Sequence, residues 1–162
     1  MKIATPEPSS MSKTFKKLNL RNEAEIVVLD APESFEHELD SLGDVTVFRS
    51  IPTKRSIDFA LVFAPNRQCL TELAPKIIAA CGDDAVLWFA YPKKSSRKYS
   101  SDISRGSGWE ILGQAGFEGV RQVALDEDWS ALRFRRVDYI KSFNRDPSRA
   151  MSAAGRKRLS RR

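Results

Sequence analysis

The chain has 162 residues, 41% of them hydrophobic and 30% charged, with a formal net charge of +6. That length and apolar content suit one domain with an ordinary core. No run of about 18 apolar residues is present to cross a bilayer, so no membrane partner is expected. The charge is uneven. Residues 144–162 hold seven basic residues and one acid, and residues 1–21 hold five basic residues and one acid, which leaves 22–143 net acidic. Two cysteines, Cys69 and Cys81, lie twelve positions apart. On one helix that is about 18 Å of rise, beyond disulfide reach, so reduced thiols and a cytoplasmic location are expected. Neither sits in a Cys-x-x-Cys pair, and no metal is expected.

Residues 1–22 are polar, proline-bearing and basic, with no apolar core segment. They read as a flexible basic N-terminal segment rather than a signal peptide. Glu25-Ile26-Val27-Val28-Leu29 is the kind of β-branched run found in parallel strands buried on both faces. A short helix is predicted over 34–42, with Gly43 as its C-terminal stop, and a second strand over 45–49. A third strand covers 58–64 and ends at Pro65-Asn66. Residues 67–81 read as a helix with Leu70, Leu73, Ile77 and Ala80 on or near one face. Pro75 is expected to kink or split it. The fourth strand, 85–91, stops at Pro92-Lys93-Lys94.

A serine-rich basic loop follows to Gly106. Ser107 and Glu110 have capping-box spacing for a helix running to Ala115, and Gly116 suits its end. Strands over 120–125 and 129–137 flank the Asp126-Glu127-Asp128 turn as a hairpin. Residues 144–162 read as a flexible basic tail. Strands alternating with helices predict an α/β domain over 23–143: a three-layer, mostly parallel sheet of five or six strands with a C-terminal antiparallel hairpin.

Ligands of open α/β sheets bind at the carboxyl ends of the strands. Three predicted strands end alike, at Asp30-Ala31-Pro32, Ala64-Pro65-Asn66 and Tyr91-Pro92-Lys93. Each proline stops the strand and stiffens the loop. The candidate ligand-binding residues on this rim are Asp30, Asn66, Lys93 and Lys94, with Asp126 and Trp129 from the hairpin turn. Asp30 can accept hydrogen bonds from hydroxyls, and the lysines can meet phosphate or carboxylate. Of the three tryptophans, Trp129 is expected to be the most exposed. His37, the single histidine, stands between Glu36 and Glu38 on a surface helix. No catalytic triad is indicated, no glycine-rich phosphate loop follows the first strand, and no catalytic residue or cofactor can be assigned. Arg156, Lys157, Arg158, Arg161 and Arg162 are candidate nucleic-acid contacts through phosphate.

Two resemblances attach to these residues. The order of elements from Asp58 to Arg136 resembles the C-terminal half of class I S-adenosylmethionine-dependent methyltransferases. A second resemblance is to a family of small bacterial proteins of unknown function. It rests on Leu87-Trp88-Phe89-Ala90-Tyr91-Pro92-Lys93 and on Asp126-Glu127-Asp128-Trp129-Ser130-Ala131-Leu132. Together they cover about 25–141 and imply a Rossmann-like fold and a bacterial origin, without an activity. The methyltransferases use a glycine-rich loop after the first strand. Here Asp30-Ala31-Pro32-Glu33 stands in that place, and proline cannot give the backbone freedom of glycine.

Three functional expectations follow. The first is a non-catalytic Rossmann-like domain that binds a small anionic ligand or a partner. The second is a divergent methyltransferase-like enzyme. The third is weak nucleic-acid association through the basic tails.

Overall fold

The computed structural model of the protein describes residues 12–53 and 56–160. Six strands form one sheet: β1 (Glu25–Leu29), β2 (Thr46–Phe48), β3 (Ile57–Phe63), β4 (Cys81–Pro92), β5 (Phe117–Ala124) and β6 (Trp129–Arg136), in the order β2-β1-β3-β4-β6-β5. β1 to β4 are mutually parallel, while β6 runs antiparallel to both β4 and β5. The hairpin is therefore not appended through its first strand. Its second strand inserts beside β4, and β5 becomes the edge, running in the same direction as β1 to β4.

The sheet is covered on both sides. Helices α3 (Arg67–Ala80) and α4 (Glu110–Gln114) cover one face, where Leu70, Ala74, Ile77, Trp109 and Leu112 pack on Val62, Phe89 and Phe134. Helices α1 (Lys13–Lys17) and α2 (Glu36–Asp40) cover the other, where Phe15, Leu18, Phe35 and Leu39 pack on Val28, Phe59, Phe63 and Trp88. This is the three-layer, Rossmann-like α/β fold. β1 and β3 are apolar on both faces because each pleat direction meets a covering layer.

Local expectations hold unevenly. Gly43 and Gly116 adopt left-handed backbone, with φ of +61° and +88°, as helix C-terminal stops require. Pro75 does not split α3. Pro75 and Thr71, whose carbonyl would have been its partner, are both exposed, so water can take the unpaired carbonyl. The capping box does not form. The residue before α4 is Trp109, with no side-chain cap, because Ser107 and Glu110 are both engaged by Arg67, at 3.2 and 3.4 Å.

The ends are the larger correction. Residues 1–11, 161 and 162 lie outside the described residues. Residues 12–20 belong to the core rather than to a flexible arm. Ser12 caps α1, Phe15 and Leu18 are fully buried, and the Trp88 indole N–H donates to the Leu18 carbonyl at 2.8 Å.

At the other end, residues 140–160 fold back over β5 instead of trailing. They include helix α5 (Ala153–Ser160), and Ile140, Phe143, Ala150 and Leu159 form a small apolar cluster with Val120. The anchor is Glu118 on β5, a fully buried carboxylate. It accepts from the Met151 and Ser152 amides at 2.8 and 2.6 Å, from the Ser152 hydroxyl at 2.5 Å, and from Arg145 at 3.3 Å. Ser152 Oγ in turn accepts from the Gly155 amide and starts α5. The contact between α4 and this segment is close enough that a Cβ on Gly113 would lie 2.1 Å from the Met151 carbonyl oxygen.

Candidate anion-binding groove

The carboxyl ends of β1, β3 and β4 and the start of β6 share one edge of the sheet, since Pro92 pairs with Trp129. The predicted rim residues arrive there and then separate by face.

On the α1/α2 side, aromatic rings fill the edge. Phe63 lies 5.1 Å from both Phe35 and Trp129, and Trp129 lies 5.1 Å from Tyr99. Trp129 is only 3% exposed, the reverse of the expectation. It follows directly on a tight turn and points inward as the first residue of β6. Its indole N–H is buried without a hydrogen-bond partner among the described residues.

Asp126 closes that turn, accepting from the Asp128 and Trp129 amides at 2.8 Å each. Asn66 is the N-cap of α3 and accepts from the Cys69 amide at 2.9 Å. Asp30 is exposed and bends the chain after β1 with a φ of +57°, a conformation that aspartate tolerates better than most residues. His37 is exposed, and Cys69 and Cys81 are free thiols.

Lys93 and Lys94 open onto the α3/α4 face. With Tyr91, Ser104, Arg105 and Gln122 they line a cavity of about 300 Å³. The Lys93 amide donates to the Asp128 carbonyl at 2.8 Å, so the backbone beneath these lysines is tied to the hairpin. Tyr91 receives a hydrogen bond from the Gln122 amide at 2.9 Å. Burial pushes its phenol above the ordinary tyrosine range, against the opposing pull of Arg105 and of that hydrogen bond.

A second cavity, of about 860 Å³, lies along β5 and shares Arg105, Gly106 and Gln122 with the first. Its cations are Arg105, Arg121, Arg145 and Arg149, and six of its sixteen lining residues belong to the returning C-terminal segment. The two cavities form one groove with six cationic side chains. Among the residues lining it the single acid is Glu110, already paired with Arg67.

Two groups in the groove are held in advance. Arg145 is fixed by Glu118 at 3.3 Å and by the Gly119 carbonyl at 3.1 Å, with its guanidinium 4.4 Å from the Phe143 ring centre. Arg105 sits on a loop pinned from both sides. The Arg67 amide donates to Asp102 at 2.8 Å, the Arg67 side chain reaches Ser107, and the Trp109 indole donates to the Ser104 carbonyl at 2.8 Å. The Arg145 guanidinium, so ordered, loses little freedom on meeting an oxyanion, and the pinned loop fixes the backbone from which Arg105 reaches.

Sequence reasoning reached Lys93 and Lys94 but not Arg105, Arg121, Arg145 and Arg149, which come from three separate segments: the loop before α4, β5 and the returning C-terminal segment. Of the C-terminal cations, Arg156 donates to the Ala150 carbonyl at 3.2 Å beside the groove and Lys157 is exposed. Arg158 is spent on structure, donating to the Val137 and Lys141 carbonyls at 2.9 and 3.0 Å. Arg161 and Arg162 lie outside the described residues.

Comparison with solved structures finds similar chain paths among methyltransferases. The ribosomal protein L11 methylase of Lactobacillus delbrueckii subsp. bulgaricus is 10% identical, with 76% of each chain covered and a TM-score of 0.47. M. capricolum TrmK, solved with S-adenosyl-homocysteine, is 8% identical over 93% of this chain and 77% of that one, also with a TM-score of 0.47. A putative type 11 methyltransferase from Sulfolobus solfataricus is 10% identical over 76% of this chain and 88% of that one, with a TM-score of 0.42. No family model matches the chain, and no curated protein matches it in sequence. No helix among the described residues is long and apolar enough to cross a membrane.

Proposed function

We propose that the protein is a binding domain for a phosphate-bearing anion, held in the groove between the carboxyl end of β4 and the docked C-terminal segment. One observation carries this reading: six cationic side chains, five of them without an ion-pair partner among the described residues, line a groove in which the single acid among the described lining residues is already paired. Converging like charges repel one another, and that repulsion is relieved when an oxyanion enters. Lys93 and Lys94 act as mobile ammonium donors at the strand end. Arg105, at the junction, reaches either cavity, and Arg145 supplies a fixed fork. Titration calorimetry with inorganic pyrophosphate and with ATP tests the reading. Measurable binding that weakens at least tenfold in Arg105→Ala is expected. Equal heats from wild type and variant refute it.

A second reading is a divergent S-adenosylmethionine-dependent enzyme. It is favoured by the left-handed bend at Asp30, which turns the chain after β1 without glycine. The aromatic packing of Phe35, Phe63, Trp129 and Tyr99 over the same edge weighs against it. Calorimetry with S-adenosylmethionine separates the readings: binding lost in Asp30→Ala favours the enzyme, and absence of heat excludes it.

A further inference from the structure

We infer that the groove's ligand is a nucleic-acid strand, gripped along its phosphates, rather than a compact nucleotide. The inference rests on the groove reading and adds the class of partner. Its basis is that the positive strip does not stop at the groove's ends. Beyond the smaller cavity, the turn that begins at Lys93, closed by the Ser96 amide on the Lys93 carbonyl at 3.1 Å, leads into exposed Arg97 and Lys98. Beyond the larger cavity, Arg156 is tied to the carbonyl of Ala150, itself a wall residue, and is followed by exposed Lys157. A compact anion would satisfy the middle of this strip and leave both ends unused. A strand entering at one end and leaving at the other meets all of it.

Among the described residues the groove also lacks a face on which bases could stack. Trp109 and Tyr91 line it but are each 3% exposed, and the Tyr91 hydroxyl is engaged by Gln122. Contacts therefore fall on phosphate, which positions a strand without reading its sequence. Five of the six groove cations, all but Arg145, have no ion-pair partner among the described residues. For a single strand, counterion release by these five contacts alone gives a log–log salt slope of about −3.5, and the four flanking cations steepen it to about −6.

The test is fluorescence anisotropy of the full chain with a labelled mixed-sequence RNA or DNA of about 12 nucleotides, within the span of such grooves. ATP, pyrophosphate and inorganic polyphosphate serve as competitors. The oligonucleotide is expected to bind at least about tenfold tighter than ATP, with a salt slope of about −6. Arg121→Ala with Arg149→Ala weakens every anion about tenfold or more. Arg156→Ala with Lys157→Ala weakens only the oligonucleotide, severalfold. Lys16→Ala with Lys17→Ala, on the opposite face of the sheet, changes nothing. Three results overturn the inference while the groove reading stands: ATP matching the oligonucleotide, polyphosphate binding where oligonucleotides do not, or no loss in the Arg156/Lys157 pair. If no anion binds at all, both fall.

Discussion

Replacing Glu118 tests whether the C-terminal segment is part of the domain. In the folded protein this carboxylate satisfies two backbone amides, a hydroxyl and a half-buried guanidinium. Glu118→Ala removes all four acceptor contacts and leaves the Met151 and Ser152 amides facing a void. Each unsatisfied buried donor costs about 1–3 kcal/mol, and breaking a buried charge pair costs about 3–5 kcal/mol. A loss of about 4 kcal/mol is therefore expected, a large share of a typical 5–15 kcal/mol stability. Glu118→Gln keeps one acceptor but sets an NH₂ against an amide N–H, and about 2 kcal/mol is expected.

Urea unfolding followed by circular dichroism measures both variants. Hydrogen exchange at Met151, Ser152 and Gly155 reports whether the loss is local to the docked segment. Variants within about 0.5 kcal/mol of wild type, with unchanged exchange at those amides, would refute the role given to Glu118.

Other outcomes follow from single contacts. Gly113→Ala, which ordinarily favours a helix, is expected to cost about 1–3 kcal/mol here because the new methyl meets the Met151 carbonyl; thermal unfolding checks the sign. Arg67→Ala removes an exposed ion pair worth at most about 1 kcal/mol, but it loosens the loop carrying Arg105 at Ser107 and leaves Glu110 unpaired in the groove. Stability should hold while pyrophosphate affinity falls severalfold, and equal losses in both would contradict the pinning. Burial pushes the Cys81 thiol up to about 12. With the folded value raised, stability is unaffected below the unfolded thiol's ordinary pH range and declines from about pH 9 toward 12 as unfolded chains ionise. Urea midpoints across that window should fall less in Cys81→Ala than in wild type.

β1, β3 and β4 were legible because each is an apolar run that stops at or near a proline, and such runs need two covering layers. The insertion of β6 between β4 and β5 was not, because local pattern sets a hairpin but not which of its strands docks on the sheet. The docked C-terminus was hidden for a related reason. Ile140, Phe143, Ala150 and Leu159 are scattered singly among charges, and Glu118 in a strand reads as an exposed position until its four donors are known. Trp129 misled through its acidic neighbours, which close a turn and leave the ring inside. Lys93 and Lys94 were visible as a strand-end motif. The four arginines that complete the groove converge only after the chain returns over β5.

The groove reading is tested most directly by mapping amide chemical shifts during titration with pyrophosphate. The expected result is a contiguous set of shifts at 93–94, 105–106, 121–122 and 145–151, which disappears in Arg105→Ala. Shifts centred on Asp30 and Asn66 instead, or none at saturating pyrophosphate, would contradict it.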